Sequence, residues 1–304
     1  MSQPTRQGLF VGLLTLDLIY LVERLPAPNE KLVAADYLAA AGGPAANAAI
    51  AYRHFSQSAT LLGVLGHHPL AQHIAADLKS HGVTLIDLAP AHAEPPPVSS
   101  ILVTQSTGDR AVVSLNARRH QAAGQISPEI AAALDNSTIV LIDGHQMAIG
   151  AAIARQAAQQ EISVVVDGGS WKPNFDQVLR WSHYAICSAQ FRPPGCSNLR
   201  ETLDYVQRLG VPHVAITRGA EPIIYRFHDG QGDRTQEIDV PTIQAVDTLG
   251  AGDIFHGVFC HVLTAALKMG RPAVVDALHQ AAQVAALACT TFGTRQWMNQ
   301  QPGL

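Results

Sequence analysis

The chain reads Asp247-Thr-Leu-Gly-Ala-Gly-Asp253 and continues with Ile-Phe-His-Gly257. The apolar residues Ile243, Ala245 and Val246 come just before this run and are typical of the end of a strand. Other apolar residues follow it at the spacing of one helix face: Phe255, Val258, Phe259, Val262 and Leu263. We therefore predict a turn of small residues that opens directly into a helix.

Such a turn is suited to binding an anion. Gly250, Ala251 and Gly252 keep bulky side chains away, and the first N–H groups of a helix lack internal partners at the positive end of its dipole. This combination favours a phosphate. Asp253 lies in the same turn and would repel an anion, so we interpret it as a base that takes a proton from a hydroxyl attacking that phosphate. The alternative is that Asp253 is an N-cap and the glycines only form the turn.

Composition excludes several classes of function. The 304 residues, 47% of them hydrophobic, suffice for one large domain or one domain with an appendage. The net charge of −4 provides no basic field for nucleic acid. No apolar run approaches the roughly 18 residues of a membrane span, and the N-terminus lacks the features of a signal peptide. Four cysteines without a C-x-x-C pair indicate a reduced, cytoplasmic protein: Cys187, Cys196, Cys260 and Cys289.

Strand and helix patterns alternate through most of the chain, which predicts a mostly parallel sheet covered by helices on both faces. The predicted strands are 9–16, 60–65, 83–88, 139–142, 163–166, 183–187 and 213–217, followed by an antiparallel pair at 223–227 and 235–240. The clearest predicted helices are 44–54, 69–80, 251–269 and 272–290.

Two β-rich regions have no helix beside them, at about 18–40 and 98–118. Thr107-Gly108-Asp109 is a favourable hairpin turn within the second region. We predict that the two regions form a small separate sheet. Open parallel sheets bind ligands at the carboxyl ends of their strands, so a β lid over that edge would exclude water and protect phosphoryl groups from hydrolysis.

A second group of polar residues is predicted at the same edge. Asp17 ends the first predicted strand, and Gly42, Gly43 and Asn47 surround the start of the next helix. Short carboxylate and amide side chains beside bare backbone suit a ligand with many hydroxyl groups. The alternative is that Asp17 caps a turn and that the glycines only serve the loop.

The first motif resembles the DTxGAGDxF signature of the ribokinase-type sugar kinases, the phosphofructokinase-B family. Every fixed position is met, by Asp247, Thr248, Gly250, Ala251, Gly252, Asp253 and Phe255. The resemblance implies a ribokinase-like three-layer α/β/α sandwich, with residues 1–304 as one kinase domain carrying the β lid. It implies Asp253 as catalytic base and residues 250–252 as the anion hole. ATP and Mg²⁺ are the implied cofactors, and a monovalent cation is left open.

The resemblance also assigns binding residues. Asp17, the Gly-Gly-x-x-x-Asn segment from Gly42 and Gly43 to Asn47, and Asn116 would bind the sugar. The nucleotide would contact Thr217, Gly219, Thr248, Gly250, Gly252 and, on the final helix, Cys289 with Ala282 and Ala286. The family's T-x-G-x-x-G stretch ends here in Pro222 instead of Gly. Its N-x-x-E motif, tied to magnesium, would fall on Ser188–Phe191 and matches at neither end. Ketohexokinase-like members also lack that motif, so the metal ligands are left unassigned.

Within the family, the chain looks closest to ketohexokinase and bacterial sulfofructose kinase, which implies phosphorylation of a primary hydroxyl of a ketose or modified ketose. An anionic substituent would need fixed cations, and the candidates are Arg110, Arg118 and Arg119, with His145 where sulfofructose kinase has an arginine. The alternative for Arg118 and Arg119 is a solvated loop. Lys172 would contact ATP phosphates or lie on the surface. A nucleoside kinase of the same fold and a non-catalytic sugar-sensing protein are the alternatives. The lid often pairs two subunits in this family, and its apolar residues Ile19, Leu21, Val33 and Val112 fit either a homodimer surface or contact with the chain's own body.

Overall fold

The computed structural model describes residues 7–115, 121–228, 230, 232–268 and 274–300. The candidates Asn116, Arg118 and Arg119 lie outside the described residues. The strands are β1 Gln7–Val11, β2 Thr15–Val22, β3 Asp36–Gly42, β4 Ala59–Gly63, β5 Val83–Asp87, β6 Val98–Thr104, β7 Arg110–Ser114, β8 Ser137–Ile142, β9 Ser163–Gly168, β10 Tyr184–Ser188, β11 His213–Arg218, β12 Glu221–His228 and β13 Asp233–Ile238. The helices are α1 Pro44–Phe55, α2 Pro69–Ser80, α3 Pro128–Asp135, α4 Met147–Gln159, α5 Phe175–Leu179, α6 Leu199–Arg208, α7 Ala251–Lys268 and α8 Val274–Ala288.

Nine strands form the main sheet in the order β13-β12-β11-β10-β9-β8-β1-β4-β5. The seven strands from β11 to β5 are parallel, and β12 and β13 join antiparallel at one edge. Both faces are covered. Phe10 of β1 packs in the core under α1, α7 and α8, whereas its neighbours Leu9 and Val11 pack in the core under α3 to α6. Because both faces are buried, the strands are continuous apolar runs, and the predicted three-layer α/β/α architecture is confirmed.

A second sheet of four strands has the order β3-β2-β6-β7. It is built from the two regions that the sequence predicted for the lid, and Gly108 lies in its hairpin turn with a positive φ of 70°. Ile19, Ile101 and Val103 on one face pack against Phe292, which follows α8. The predicted small separate sheet is therefore present, and this lid sheet packs against the body of the molecule.

The prediction of a single strand over residues 9–16 is wrong, because this stretch is divided between two strands in different sheets. The main-sheet strand β1 ends at Val11 and the lid strand β2 begins at Thr15. Between them, the Leu13 amide donates to the Asp143 carboxylate at 2.8 Å. A Cβ on Gly12 would lie 2.1 Å from that carboxylate, so only glycine lets the backbone approach it. This contact turns the chain out of the main sheet, and Asp17 consequently lies within the lid sheet.

The strand predicted before the 247–253 motif is also absent, since residues 239–246 form a loop. The amides of Val246 and Asp247 both donate to the Cys289 carbonyl, at 2.8 and 3.2 Å. This segment therefore bonds to the end of α8 and not to a neighbouring strand. Helices α7 and α8 match the predicted ranges to within two residues, apart from residues 269–273, which lie outside the described part. No helix among the described residues is long and apolar enough to span a membrane.

Candidate active site

The small-residue turn opens α7 as predicted. Gly250 has a φ of +71°, and a Cβ there would lie 2.8 Å from Thr294, so both backbone conformation and space require glycine. Asp247 holds the turn in place because its carboxylate accepts from the Leu249 amide at 2.8 Å and the Gly293 amide at 2.9 Å. The N–H groups of Gly252 and Asp253 have no acceptor among the described residues, as in any first helical turn. These amides are available to an anion.

Asp253 is not the N-cap of α7, because the helix already begins at Ala251. Its side chain instead accepts a hydrogen bond from Asn47 Nδ2 on α1, at 2.8 Å. Burial, followed by the charge of Asp167, raises the pKa of Asp253 to about 7, while the Asn47 hydrogen bond opposes the rise. A general base works best when its pKa is near the working pH, so the environment of Asp253 suits proton transfer at neutral pH.

Three other predicted sugar-binding residues, Asp17, Gly42 and Gly43, lie around the same point. A Cβ on Gly42 would lie 2.0 Å from the Asp17 carboxylate, and one on Gly43 (φ +98°) would lie 2.3 Å from the Leu13 carbonyl. The Thr15 hydroxyl donates to Asp17 at 2.7 Å, while burial raises the pKa of Asp17 despite that bond. Asp17 is close enough to Asp253 for its charge to raise the pKa of Asp253.

Asp143 is a buried acid that the sequence reasoning passed over. Its carboxylate accepts from the amides of Leu13 (2.8 Å), His145 (2.8 Å) and Ala45 (3.2 Å). Burial alone would raise the pKa of Asp143, but His145, the Leu13 amide and Lys172 outweigh it and the pKa is lowered. Asp143 thus remains ionised at the N-terminus of α1. Its signal in the sequence is its position directly after the apolar strand β8.

Asp167 and His256 form a second unforeseen pair, behind the anion-binding turn. His256 Nδ1 lies 2.6 Å from the Gly252 carbonyl and 3.7 Å from Asp167, and its Nε2 lies 3.1 Å from the Ile186 carbonyl. Burial raises the pKa of Asp167, and the nearby His256 opposes that rise. Asp167 lies near the carboxyl end of the apolar strand β9, so its signal in the sequence is similar to that of Asp143.

Arg295 is the fourth residue that sequence reasoning missed. Its side chain is buried among α1, α2 and β3, and Nη1 donates to Asn47 Oδ1 at 3.0 Å. Burial lowers the pKa of Arg295, whereas the charges of Asp77, Asp17 and Asp253 oppose that lowering. The segment FGTRQW carries no pattern that indicates burial of a cation.

A cavity of about 800 Å³ lies beside the first turn of α7. It is lined by most of the predicted nucleotide-binding residues, namely Thr217, Gly219, Thr248, Gly252, Ala282, Ala286 and Cys289. Gly250 lies in the adjoining turn but does not line the cavity. Arg110 of the lid strand β7 also lines it, and its guanidinium donates to the Thr248 hydroxyl. The cavity therefore connects the lid, the anion-binding turn and α8.

The position of the missing N-x-x-E motif holds no acid. Phe191 stands where the glutamate would be and is fully buried in the core, and the Ser188 hydroxyl is directed to the Gly169 carbonyl at 2.9 Å. The described residues contain no group of three His, Cys, Asp or Glu that could hold a metal. Kinase Mg²⁺ is commonly carried by one or two carboxylates, waters and the substrate's own phosphates. The described residues therefore fit a Mg²⁺ ion that is bound mainly by the phosphates of ATP, and they do not form a separate protein site for it.

Comparison with known proteins gives a consistent result. The family model for "pfkB family carbohydrate kinase" matches residues 7–301. A ribokinase of Lactococcus lactis is 22% identical over 292 residues, covering 95% of this chain and 92% of that protein. The fructosamine kinase FrlD of Bacillus subtilis is 26% identical over 260 residues, covering 83% and 84%. The structure of Arabidopsis thaliana ribokinase, complexed with ribose and ATP, superimposes with a TM-score of 0.72 at 21% identity, covering 96% and 94%.

Proposed function

The chain belongs to the pfkB family of carbohydrate kinases, and we propose that it transfers the γ-phosphate of ATP to a primary hydroxyl of a ketose or modified ketose. The observation that carries this proposal is the position of Asp253. Its carboxyl has a pKa of about 7, is held by Asn47 on the side of the sugar-binding residues, and lies in the helical turn that adjoins the nucleotide cavity. The whole chain would act as one kinase domain with a β lid.

In the proposed mechanism, Asp253 accepts the proton of the acceptor hydroxyl as that oxygen attacks the γ-phosphate in line. Asn47 occupies Oδ2 of the carboxylate, which leaves Oδ1 for the substrate proton. The free amides of Gly252 and Asp253 face the developing negative charge. Oriented donors of this kind provide much of what phosphoryl transfer requires of a protein, and Mg²⁺ enters with ATP as part of the substrate.

The charges around the acceptor site favour a ketose without an acidic substituent. Asp17 and Asp143 are buried there, and Asp253 is partly buried. His145, a candidate for binding an anionic substituent, is already engaged because it lies 3.3 Å from the Asp143 carboxylate. The nearby Lys172 is engaged as well, since it donates to the Asp143 and Ser170 carbonyls. A relative that is a fructosamine kinase fits this picture, since an amine-bearing ketose would be attracted by carboxylates. We therefore place neutral and amine-bearing ketoses ahead of sulfonated ones.

The lid has a second proposed role as a homodimer surface. Of the four apolar residues named from the sequence, Ile19 and Leu21 pack onto the chain's own body through Phe292. Val33 and Val112 are 82% and 49% exposed. Val112 shares the face of the lid sheet that carries Ile19 and Ile101. A second copy of the chain would therefore cover Val33 together with the exposed residues Tyr37 and Val113.

The proposal is tested by measuring ADP release with Mg-ATP over neutral ketoses, fructosamines, aldoses, sulfonated sugars and nucleosides. We expect turnover on a neutral or amine-bearing ketose. Turnover on nucleosides alone would identify a nucleoside kinase, and sugar binding without turnover on any acceptor would identify a sugar-sensing protein.

Asp253→Asn is expected to lower kcat by about 10²–10⁴-fold, the usual cost of losing a general base, with sugar binding retained. Near-normal turnover of this variant would refute the assignment of the base.

A further inference from the structure

Arg295 connects three parts of the acceptor site. Its Nη1 donates to Asn47 Oδ1 at 3.0 Å and to the Thr294 hydroxyl at 2.8 Å. Its Nη2 donates to the Ala41 carbonyl at 2.6 Å and lies 3.3 Å from the Asp77 carboxylate. The guanidinium is a flat fork with several donors, and here those donors reach α1, α2, the end of β3 and the segment after α8.

The contact with Asn47 fixes which end of that amide faces Asp253. A guanidinium donates hydrogen bonds and accepts none, so Asn47 must present its oxygen to Arg295. The amide nitrogen then points the other way and donates to Asp253 Oδ2 at 2.8 Å. If the amide turned over, its oxygen would face the Asp253 carboxylate and the hydrogen bond would become a repulsion. Arg295 therefore selects the orientation in which Asn47 stabilises the ionised base.

Arg295 also braces the glycine turn of the acceptor site. Asp77 Oδ2 accepts from the Ala41 amide at 2.9 Å, while Arg295 donates to the Ala41 carbonyl. Together these two side chains hold both polar groups of the residue that precedes Gly42 and Gly43. The brace is local, buried and independent of any bound ligand.

We propose that Arg295 is a positioning residue that fixes the Asn47 amide and, through it, the carboxylate of Asp253. This inference rests on the proposed function, in which Asp253 is the base. It assigns to the segment after α8 a part in the chemistry although Arg295 itself has no contact with Asp253. The charged groups that act on Asp253 are Asp167 on β9, Asp17 on β2 and His256 on α7, and those that act on Arg295 are Asp77, Asp17 and Asp253.

The experiment compares the wild type with Arg295→Gln, Arg295→Lys, Asn47→Leu and the double variant Arg295→Gln/Asn47→Leu. Two quantities are measured on each protein. The first is the pH profile of kcat/KM on the best acceptor, and the second is the pKa of Asp253 by carboxyl ¹³C NMR, with Asp253→Asn used to assign the signal. Arg53→Gln is the matched control, because Arg53 lies on α1 and donates to two backbone carbonyls, those of Gly82 and Ser56.

We expect Arg295→Gln to raise the pKa of Asp253, and with it the acidic limb of kcat/KM, by about one unit, the size of one lost charge-assisted hydrogen bond. Arg295→Lys keeps the positive charge but loses the forked guanidinium, so it should raise the pKa of Asp253 and the acidic limb of kcat/KM by a smaller amount. Arg53→Gln should change neither the pKa nor the acidic limb. The charges of Arg295 and Asp253 also interact directly, and only the part of the effect that acts through Asn47 is lost in the Asn47→Leu background. Substitution of Arg295 should therefore raise the pKa of Asp253 less in that background than in the wild type.

Two results would overturn the inference. One is a folded Arg295→Gln and Arg295→Lys pair whose Asp253 titrates as in the wild type. The other is full additivity of the Arg295 and Asn47 substitutions, which would show independent action. Wild-type turnover separates the inference from the function on which it rests. If the wild type phosphorylates no acceptor, the proposed kinase function fails, and the NMR titration still decides whether Arg295 controls Asp253.

Discussion

Two other carboxylates, those of Asp17 and Asp167, act on Asp253 and raise its pKa beyond the effect of burial. Asn47 and His256 act in the opposite direction. The pKa of about 7 is therefore a balance between two repulsive and two attractive neighbours in a site with little water. A residue tuned in this way is a better base than an exposed aspartate, but its ionised form reduces the stability of the folded chain.

Because the ionised Asp253 carboxylate destabilises the folded chain, we predict that the wild type and Asp253→Asn differ in stability by an amount that depends on pH. Below about pH 4 the Asp253 carboxyl is protonated in both the folded and the unfolded chain. As the pH rises towards 7, the unfolded chain loses this proton while the folded chain retains it, so wild-type stability falls across this window. Asp253→Asn cannot ionise. Since one pKa unit corresponds to about 1.4 kcal/mol, the variant should gain on the order of a few kcal/mol over the wild type between pH 4 and pH 8.

The measurement is the thermal midpoint of both proteins at pH 4, 6 and 8. The exposed Asp239→Asn serves as control, and its difference from the wild type should stay nearly constant with pH. A difference between Asp253→Asn and the wild type that does not grow with pH would mean that Asp253 ionises as easily in the folded chain as in water.

Sequence and structure differ most in the residues that tune the site. Asp253 and Asn47 were named from the sequence because each belongs to a short motif whose members are neighbours along the chain. Arg295 binds Asn47 across 248 positions, and His256 meets Asp167 only because α7 packs under β9. Such pairs are set by tertiary packing, and no local spacing encodes them.

At the scale of elements, the lid touches the anion-binding turn. The Arg110 guanidinium on β7 donates to the Thr248 hydroxyl, and a Cβ on Gly108 in the lid hairpin would lie 3.2 Å from the Val246 backbone. The hairpin is thus seated on the loop that leads into α7. Its position brings a fixed cation to the mouth of the nucleotide cavity, where ATP phosphates would lie.

Removal of this cation should weaken ATP binding. We expect Arg110→Met to raise the KM for ATP about tenfold, near the lower end for a lost charge-assisted hydrogen bond because Arg110 is exposed. The KM for the acceptor should change much less. Arg24→Met is the matched control, since Arg24 is another lid arginine but pairs with Glu30 away from the cavity. Steady-state kinetics on both variants decides the matter, and an unchanged KM for ATP would exclude a phosphate contact by Arg110.

The outer face of the lid leads to a separate prediction. Tyr37 and Val113 are 69% and 76% exposed and lie on the two edge strands, β3 and β7. If this face is the homodimer surface, Val113→Asp buries a charge at the interface and should convert a dimer into a monomer. Light scattering coupled to gel filtration measures this directly. Val275→Asp on α8, 45% exposed, is the control and should leave the mass unchanged. A wild-type monomer would contradict the proposed dimer.

The sequence predicted the strands of the main sheet well, but it failed in two places where a strand was expected. The alternation of apolar strands and helices was sufficient for the main sheet, since burial on both faces leaves a clear pattern in the sequence. The pattern failed at Gly12, where one apolar run serves two sheets, and at residues 243–246, where apolar residues pack beside α8 without strand pairing. In both places the backbone bonds to a partner far along the chain, Asp143 or Cys289.

For the molecule as a whole, the lid sheet contributes to both proposed substrate sites. Asp17 on β2 belongs to the proposed acceptor site, and Arg110 on β7 lines the cavity proposed for the nucleotide. The strand register pairs Asp17 with Ser99, Ser99 with Ser114, and Val103 with Arg110, and because alternate residues share a face, both side chains lie on the same face of one sheet. An acceptor that bonds to Asp17 would keep the lid sheet in contact with the body of the molecule. It would thereby keep Arg110 close to the phosphates of ATP.

Binding of the two substrates should therefore be coupled, and the coupling should depend on Arg110. We expect a saturating acceptor to tighten binding of a non-hydrolysable ATP analogue by at least about fivefold, the lower end of typical coupling between sites. By linkage, the analogue should tighten acceptor binding by the same factor. Isothermal titration calorimetry in both orders measures the two factors. In Arg110→Met the factor should fall towards one, whereas Arg24→Met should keep it. Equal affinities with and without the acceptor in the wild type would show that the lid does not transmit binding, and that the two halves of the site are filled independently.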